Sequence, residues 1–172
     1  VLMHGDRTSV PFRPLPRLKE GALIRQFGSA CIDTSDGFFH GLSNLLEVNS
    51  IGFQIEFPFA NMTHPVALAI AEKQHLPAWI FLAGPHGEFE LLFTIPAVKE
   101  NDFLAEAEKL DWKPLRLGTC TAEKDCIVKT EDGNLTPFDP VKIANIYAES
   151  GGNPADFLKH LLKFEAPWQI HS

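Results

Sequence analysis

The sequence predicts an α+β domain in which helices pack on a mixed β-sheet. The main observation is the order of its periodic segments, since some predicted strands stand alone between helices and others come in adjacent pairs. Strands between helices favour parallel pairing and adjacent strands favour antiparallel pairing, so the sheet should contain both. The second observation is composition: the chain has 172 residues, 45% hydrophobic and 22% charged, which is enough for one full-sized core.

Composition also narrows the classes of function. A formal net charge of −7 argues against a nucleic-acid binder that relies on phosphate contacts. No apolar run approaches the ~20 residues that cross a bilayer, so no membrane contact is expected. The three cysteines form no CxxC pair and the seven histidines no HExxH motif, so we expect neither a disulfide framework nor a structural metal. The expected location is the reducing cytoplasm, with buried and inert thiols.

The first part of the chain predicts a lead-in followed by helix, strand and helix. Residues 1–17 contain three prolines and are interpreted as an extended lead-in or interdomain linker. Apolar spacing predicts a helix over 18–27 that Gly28 ends, then a buried strand over 30–33. A second helix should start near Ser35. The other predicted elements are strands over 53–57, 79–82, 89–95, 115–120 and 126–130, a helix capped by Thr63, and helices over 101–110, 140–149 and 154–164.

The densest polar segment is Asp33-Thr34-Ser35-Asp36-Gly37, which we call the acidic elbow. It follows the first strand, so both carboxylates should project where open α/β sheets bind ligands. Ser35 can present its hydroxyl and the first free N–H groups of the helix to an anion. Two carboxylates would repel a bare phosphate, whereas Mg²⁺ prefers one or two carboxylates together with phosphate oxygens. The elbow therefore fits a metal–phosphate site.

An alternative interpretation gives the elbow only a structural role. Asp and Ser are common N-cap residues, and a cap stabilises a helix by ~1 kcal/mol. In that case Asp33 and Ser35 would simply begin the second helix, and Gly37 would ease the turn. Composition alone leaves both interpretations open.

A second polar segment precedes the strand over 89–95. Glu88 and Glu90 lie two positions apart, so they share one face of that strand and could form an acidic pair that faces a substrate. His86 stands in the preceding glycine-rich break and could contact the same ligand. The alternative for the two glutamates is the solvated face of an edge strand.

Three ordered motifs resemble the C-terminal half of the thiamine-monophosphate kinase family. The family's proline-rich RPxPRLxEG lead-in is similar to residues 13–21, its DxSDGL motif to residues 30–38, and its GEDYELLFTVP segment to residues 86–96. Order, spacing and flanking apolar residues all agree. The chain beyond about residue 133 resembles nothing in the family.

The resemblance implies a kinase that uses Mg²⁺ and ATP to convert thiamine monophosphate to thiamine diphosphate. Asp33 and Asp36 match the family's metal-binding aspartates, and Ser35 matches a serine that contacts ATP. The residue pattern and the resemblance together give the predicted site residues: Asp33 and Asp36 for the metal, Ser35 and Gly37 for ATP, and His86, Glu88 and Glu90 for the substrate.

The resemblance also implies a two-domain protein. An N-terminal half would supply most of the ATP site at the interface of a homodimer, and residues 1–17 would lead in from it. Residues 18–172 would form a C-terminal α+β domain like that of aminoimidazole ribonucleotide synthase, which is related to ferredoxin-like topology. No phosphoryl transfer is expected from these 172 residues alone.

The chain departs from the family's motifs at two positions. Gly87 stands where the family has an acidic residue expected to face substrate, and Gly41 where an aspartate often follows the SDGL motif. Losing such a partner costs roughly 1–3 kcal/mol of binding, or more if the partner group is charged. Two alternatives therefore remain: another small-molecule ATP-dependent enzyme of the aminoimidazole ribonucleotide synthase-related superfamily, or a non-catalytic module that docks a partner.

Overall fold

Six α-helices and two β-sheets make up the computed structural model, which describes residues 15–56, 58–85, 89–130 and 132–168. The helices are α1 (Leu18–Phe27), α2 (Phe38–Asn49), α3 (Pro65–Lys73), α4 (Glu100–Lys109), α5 (Pro140–Glu149) and α6 (Pro154–Lys163). The strands are β1 (Ala30–Asp33), β2 (Gly52–Ile55), β3 (Leu91–Thr94), β4 (Gly118–Thr121), β5 (Cys126–Lys129) and β6 (Leu135–Pro137). The predicted α+β class is confirmed.

The predicted mixed sheet is present, and two strands form a sheet of their own. The larger sheet has the order β4-β2-β5-β6, with β2 parallel to β5 and the other pairs antiparallel. The smaller sheet is the antiparallel pair of β1 and β3. Its two faces are covered by different clusters, since Ile32 and Leu92 pack on the main core while Leu91 and Phe93 pack on a second cluster.

The predicted strand over 79–82 is wrong. The segment Ala78–Leu82 is a 3₁₀ helix that follows Pro77, and most of its apolar side chains are buried. A short run that is apolar on all sides has no periodicity that separates a strand from a helical turn. The strand predicted over 89–95 begins at Leu91, because Phe89 has a left-handed φ of +52°.

The residues that cap two helices differ from, or add to, those expected from the sequence. The nitrogen Nδ1 of His64, not Thr63, caps α3 by accepting a hydrogen bond from the N–H of Val66 at 3.2 Å. The buried hydroxyl of Thr63 instead donates to the carbonyl of Phe59. The bounds predicted for α5 are confirmed, with Asp139 as its cap.

The main core is centred on Phe39 of α2. Its side chain is 0% exposed and contacts five other rings, with centroid distances from 5.3 to 6.3 Å. Those rings are Phe38, Phe59, Trp79, Phe138 and Trp168. Phe138 and Trp168 belong to the part of the chain that matched no motif, and α5 also packs on α2. The tail therefore completes the core beneath the helix that follows the elbow.

A second, smaller core lies on the other face of the β1–β3 sheet. It joins Leu23 and Ile24 of α1 to Phe103 and Ala107 of α4. The cluster touches this sheet through Leu91 and Phe93 of β3, whereas β1 packs on the main core through Ala30 and Ile32. The elbow that follows β1 is therefore held by the main core and by the pairing of β1 with β3.

The structure shows how buried the three cysteines are and whether any described helix could cross a membrane. Burial raises the pKa of the Cys126 thiol to about 12, as expected for an inert cysteine. Cys31 and Cys120 are exposed, so the expectation of buried thiols is wrong for these two. Every helix in the described part of the chain is too short or too polar to cross a membrane.

Candidate functional site

The acidic elbow is a tight turn between β1 and α2. The Oδ1 atom of Asp33 accepts hydrogen bonds from the N–H of Ser35, at 2.9 Å, and from the Ser35 hydroxyl. The N–H of Gly37 closes the turn by donating to the carbonyl of Thr34 at 2.8 Å. Among the described residues, neither Oδ2 of Asp33 nor the exposed carboxylate of Asp36 has a hydrogen-bond partner. Both are therefore available to a cation.

The structure contradicts the interpretation of the elbow as a helix cap. α2 begins at Phe38 with Gly37 as its N-cap, and no described side chain caps its first turn. Asp33 and Ser35 bond to each other instead. The expected helix start near Ser35 is wrong because this turn and the φ of +99° at Gly37 keep the chain out of helical geometry until Phe38. In the part of the chain that the structure describes, the first N–H groups of α2 thus have no capping side chain, and the elbow with its two aspartates directly precedes them.

β3 places the second polar segment against the elbow. Asp33 is opposite Leu91 in the antiparallel register, and the N–H of Thr34 donates to the carbonyl of Glu90 at 2.9 Å. The hydroxyl of Thr34, which is buried, is 3.4 Å from the same carbonyl. The structure therefore brings the predicted metal residues and Glu90 together at one end of a strand pair.

Of the other positions that the sequence singled out, the structure describes Gly41 but not His86 or Glu88. His86 and Glu88 lie outside the described residues, so their predicted substrate contacts stay predictions. Gly41 is buried under the elbow, where an added methyl group would lie 3.4 Å from the carbonyl oxygen of Asp33. A side chain at that position would face β1 and β3, so the departure at Gly41 changes the packing beneath the elbow.

Arg17 connects the lead-in motif to the same place. Its Nη2 atom lies 2.5 Å from Oε1 of Glu90, and its Nη1 atom lies 3.6 Å from Oε1 of Glu20. The hydrogen bond to Glu90 raises the pKa of Arg17 above its ordinary value. The sequence alone does not pair Arg17 with Glu90, because 73 positions separate them and only the fold brings them together. All three motifs that carry the family resemblance therefore meet at the elbow.

The elbow also rests directly on the chain that leads to residues 86–88. A methyl group added at Gly37 would fall 2.7 Å from the carbonyl oxygen and 2.8 Å from the nitrogen of Gly84. No side chain fits at Gly37, since both its φ and this close approach require glycine. The two predicted site segments are therefore in backbone contact on this side as well.

A cavity of about 520 Å³ lies at the carboxyl ends of the parallel strands β2 and β5. Its lining includes the aromatic side chains of Phe59, Trp79 and Trp168. The indole N–H groups of both tryptophans are buried and have no partner among the described residues. All three rings contact Phe39, which follows Gly37 by two positions. The cavity thus adjoins the rings that pack around Phe39, and its size suits a planar ring.

The donor set of the elbow fits Mg²⁺. Within the described ranges, no three or more His, Cys, Asp or Glu side chains are grouped so that they could hold a metal ion alone. The elbow offers two aspartates three positions apart in one turn. Mg²⁺ is commonly held by one or two carboxylates plus phosphate oxygens and water, so two carboxylates with no further protein ligand match its use with a nucleotide.

Replacing Ser35 by Ala is expected to raise the pKa of Asp33. The hydroxyl and the N–H of Ser35 stabilise the charged carboxylate, which lowers the pKa of Asp33 below its ordinary value. This contribution to stability is present above the ordinary pKa of about 3.9 and is lost as the pH falls through the lowered value. The variant keeps the backbone bond, so its pKa should return only part of the way, as measured by a ¹³C NMR titration of the Asp33 carboxyl.

The control for this titration is Asp132, whose pKa is lowered by a hydrogen bond from Thr130 in a different turn. Its titration should be identical in the wild type and in the Ser35→Ala variant. An Asp33 pKa that stays where it was would contradict the hydrogen-bonded turn described for the elbow.

Comparison with known proteins gives relatives for most of the chain. No protein-family model matches it. It is 24% identical over 127 residues to the thiamine-monophosphate kinase of Escherichia coli O157:H7. The matched region covers 74% of this chain and 38% of that protein. It is also similar to the crystal structure of thiamine-monophosphate kinase from Stenotrophomonas maltophilia K279a, with a TM-score of 0.57, 23% identity and coverage of 72% of this chain and 37% of that one.

A further solved structure, described as AaThiL complexed with AMPPCP and TMP, gives a TM-score of 0.51 at 20% identity, covering 72% of this chain and 36% of that one. The structural likenesses support the α+β fold. Together with the sequence relatives, they confirm the resemblance that the three motifs predict. The chain spans a little over a third of the length of these proteins.

Proposed function

We propose, from the resemblance to thiamine-monophosphate kinases, that this chain is part of a Mg²⁺-dependent enzyme that transfers a phosphoryl group from ATP to thiamine monophosphate, giving thiamine diphosphate. The observation that carries the proposal is the acidic elbow. Asp33 and Asp36 are exposed, neither caps a helix, and the open N-terminus of α2 lies beside them. Asp36 makes no hydrogen bond or ion pair to any described residue, so its carboxylate is free to bind a ligand.

The proposed enzyme has an N-terminal domain, to which residues 1–17 lead, and a C-terminal domain formed by residues 18–172. The N-terminal domain would supply the remaining nucleotide contacts, in a cytoplasmic homodimer. The observation that supports a further domain is that the chain spans little more than a third of the length of its relatives.

In this proposal, Asp33 and Asp36 hold Mg²⁺ through Oδ2 of Asp33 and the carboxylate of Asp36. The bound cation would neutralise charge on the phosphoryl group in transfer. Ser35 keeps the Asp33 side chain in one orientation by bonding to its Oδ1 atom. Gly37 brings the first N–H groups of α2 to the elbow, where they can donate to a phosphate oxygen of ATP. These residues position groups and do no covalent chemistry.

The acceptor would lie on the side of the elbow that faces β3. Glu90 is held there by Arg17, so it is a paired carboxylate rather than a free one. Its role would be to fix the start of β3, with His86 and Glu88 contacting the substrate.

A second candidate is another ATP-dependent enzyme of the same superfamily with a different small acceptor. Gly87 favours it, since the family's acidic residue at that position is expected to face the substrate. Under this alternative the elbow would do the same work for Mg²⁺ and ATP, and only the acceptor would change.

The test is phosphoryl transfer from ATP, measured with the longest natural protein that contains this chain. The acceptors would be thiamine monophosphate, thiamine, sugar phosphates and inorganic phosphate, each with and without Mg²⁺. We expect thiamine monophosphate to give the highest kcat/KM, and only with Mg²⁺. The 172-residue chain alone should give no transfer above a reaction without protein.

Each outcome of this assay bears on a different part of the proposal. A higher kcat/KM with another acceptor would identify that acceptor as the substrate and favour the second candidate, an ATP-dependent enzyme with a different small acceptor. Turnover by the isolated chain would contradict the need for an N-terminal domain. If no acceptor received a phosphoryl group, the proposed kinase activity would be contradicted.

A further inference from the structure

Helix α6 reaches the acidic elbow through two glycines, Gly84 and Gly37. Gly37 touches the backbone of Gly84, as described above. A methyl group added at Gly84 would in turn lie 2.6 Å from Cζ of Phe157 in α6. Both glycines have a positive φ, +99° and +83°. Elbow, Gly84 and Phe157 therefore form a stack in which neither glycine has room for a methyl group.

Phe157 is itself held from behind by the rest of the tail. Its side chain is 6% exposed, and the ring of Tyr147 in α5 packs edge-on against it with the centroids 5.3 Å apart. α5 packs on α2, the helix that starts at the elbow. Helix α2 is thus held by α5 on one side and, at its N-terminus, by Phe157 through Gly84.

We propose that Phe157 is a positioning residue for the acidic elbow, acting through Gly84. The inference rests on the proposed function, in which the elbow holds a metal for ATP. The Phe157 ring stops Gly84 from moving toward α6, and Gly84 stops Gly37 from moving the same way. The carboxylate of Asp36 and the first N–H groups of α2 then keep their places relative to β3. Misplacing such groups by about 1 Å can cost as much as ~100-fold in rate.

Phe157 also supports the contact between the two predicted site segments. Gly84 precedes residues 86–88, which contain the predicted substrate residues, and Gly37 ends the predicted metal turn. A shorter side chain at 157 would leave a space beneath Gly84, and the contact between the two segments would loosen. The expected consequence is a more mobile elbow in a domain that is still folded.

Leu161 provides a matched control on the same helix. It lies one turn after Phe157 and is 2% exposed, but it is not among the nearest neighbours of a methyl group at Gly84. Truncating either side chain removes buried apolar contacts, so both Phe157→Ala and Leu161→Ala should lower Tm. Only the first should disturb the elbow.

The experiment compares Phe157→Ala, Phe157→Leu and Leu161→Ala in the full-length protein by Tm, by amide hydrogen exchange of the 33–38 segment, and by kcat and KM. Exchange is informative there because the N–H groups of Thr34 and Gly37 are hydrogen-bonded. We expect Phe157→Ala to speed exchange in this segment at least about tenfold and to lower kcat about tenfold, with Leu161→Ala near wild type in both. Phe157→Leu should recover most of the loss.

Equal exchange and equal kcat in Phe157→Ala and Leu161→Ala would overturn the proposal, because both residues would then be ordinary core. If Phe157→Ala does not fold, Phe157→Val takes its place in the comparison with Leu161→Ala: faster exchange of the 33–38 segment in Phe157→Val than in Leu161→Ala supports positioning, and equal exchange in the two contradicts it. A wild-type protein without kinase activity would defeat the proposed function, while the exchange result would still decide whether Phe157 holds the elbow.

Discussion

The Asp36→Asn variant of the full-length protein is expected to lose at least about 100-fold in kcat and to keep its Tm within about 2 °C of the wild type. The large loss follows if Asp36 is a metal ligand, since removing one group that stabilises charge in a transition state typically costs 10²–10³-fold. The small change in Tm follows from the structure. Asp36 is exposed and has no hydrogen bond or ion pair to any described residue, and substitutions at such positions change stability by about 0.5 kcal/mol or less.

Two companion variants sharpen this prediction. Asp33→Asn removes a charge but keeps an oxygen that can accept the bonds from Ser35, so the turn should survive while activity falls as in Asp36→Asn. Asp132→Asn alters an acidic turn elsewhere on the surface, where Asp132 bonds to Thr130 and Asn134, and it should leave kcat unchanged. Steady-state assays with saturating MgATP measure all three, and full activity in Asp36→Asn would remove that residue from the site.

The Phe39→Ala variant is expected to lose about 3–5 kcal/mol of the free energy of unfolding, the largest stability effect predicted for a single substitution here. Phe39 is fully buried and contacts five rings that come from α2, from the segments after β2 and before β3, and from the tail. Its removal opens a cavity at the point where all of these elements meet. The measurement is urea-induced unfolding followed by far-UV circular dichroism.

The control for this substitution is Val48→Ala on the same helix. Val48 is 81% exposed, so its truncation should change stability by no more than about 0.5 kcal/mol. A loss below about 1.5 kcal/mol in Phe39→Ala would contradict the central place given to this ring. Such a result would mean that the tail, which supplies Phe138 and Trp168, is not part of one core with α2.

The elements that the sequence predicted well are those with local signals. α5 was predicted with its bounds, as a helical stretch that begins at Pro140, a residue favoured in the first turn of a helix. The two predicted site segments come from local motifs, and the pairing of β1 with β3 brings them together. Dense polar residues after a buried strand are a local signal of the same kind.

The features that the sequence could not predict depend on contacts between distant segments. The shape of the elbow needs Gly37 to touch Gly84, 47 positions away in the chain, and a local interpretation therefore began the helix near Ser35. The apolar run at 79–82 became a 3₁₀ helix because it packs into the aromatic core. The place of Phe157 beneath the site was equally hidden, since its own helix shows only an amphipathic pattern.

The central claim is that the acidic elbow holds Mg²⁺ for the phosphates of a nucleotide. The most direct measurement is a crystal structure of the full-length protein with Mg²⁺ and a non-hydrolysable ATP analogue. The account predicts carboxylate oxygens of Asp33 and Asp36 about 2.1 Å from a magnesium ion that also binds phosphate oxygens. A bound nucleotide whose magnesium is held entirely by other residues, with both aspartates pointing into solvent, would contradict it.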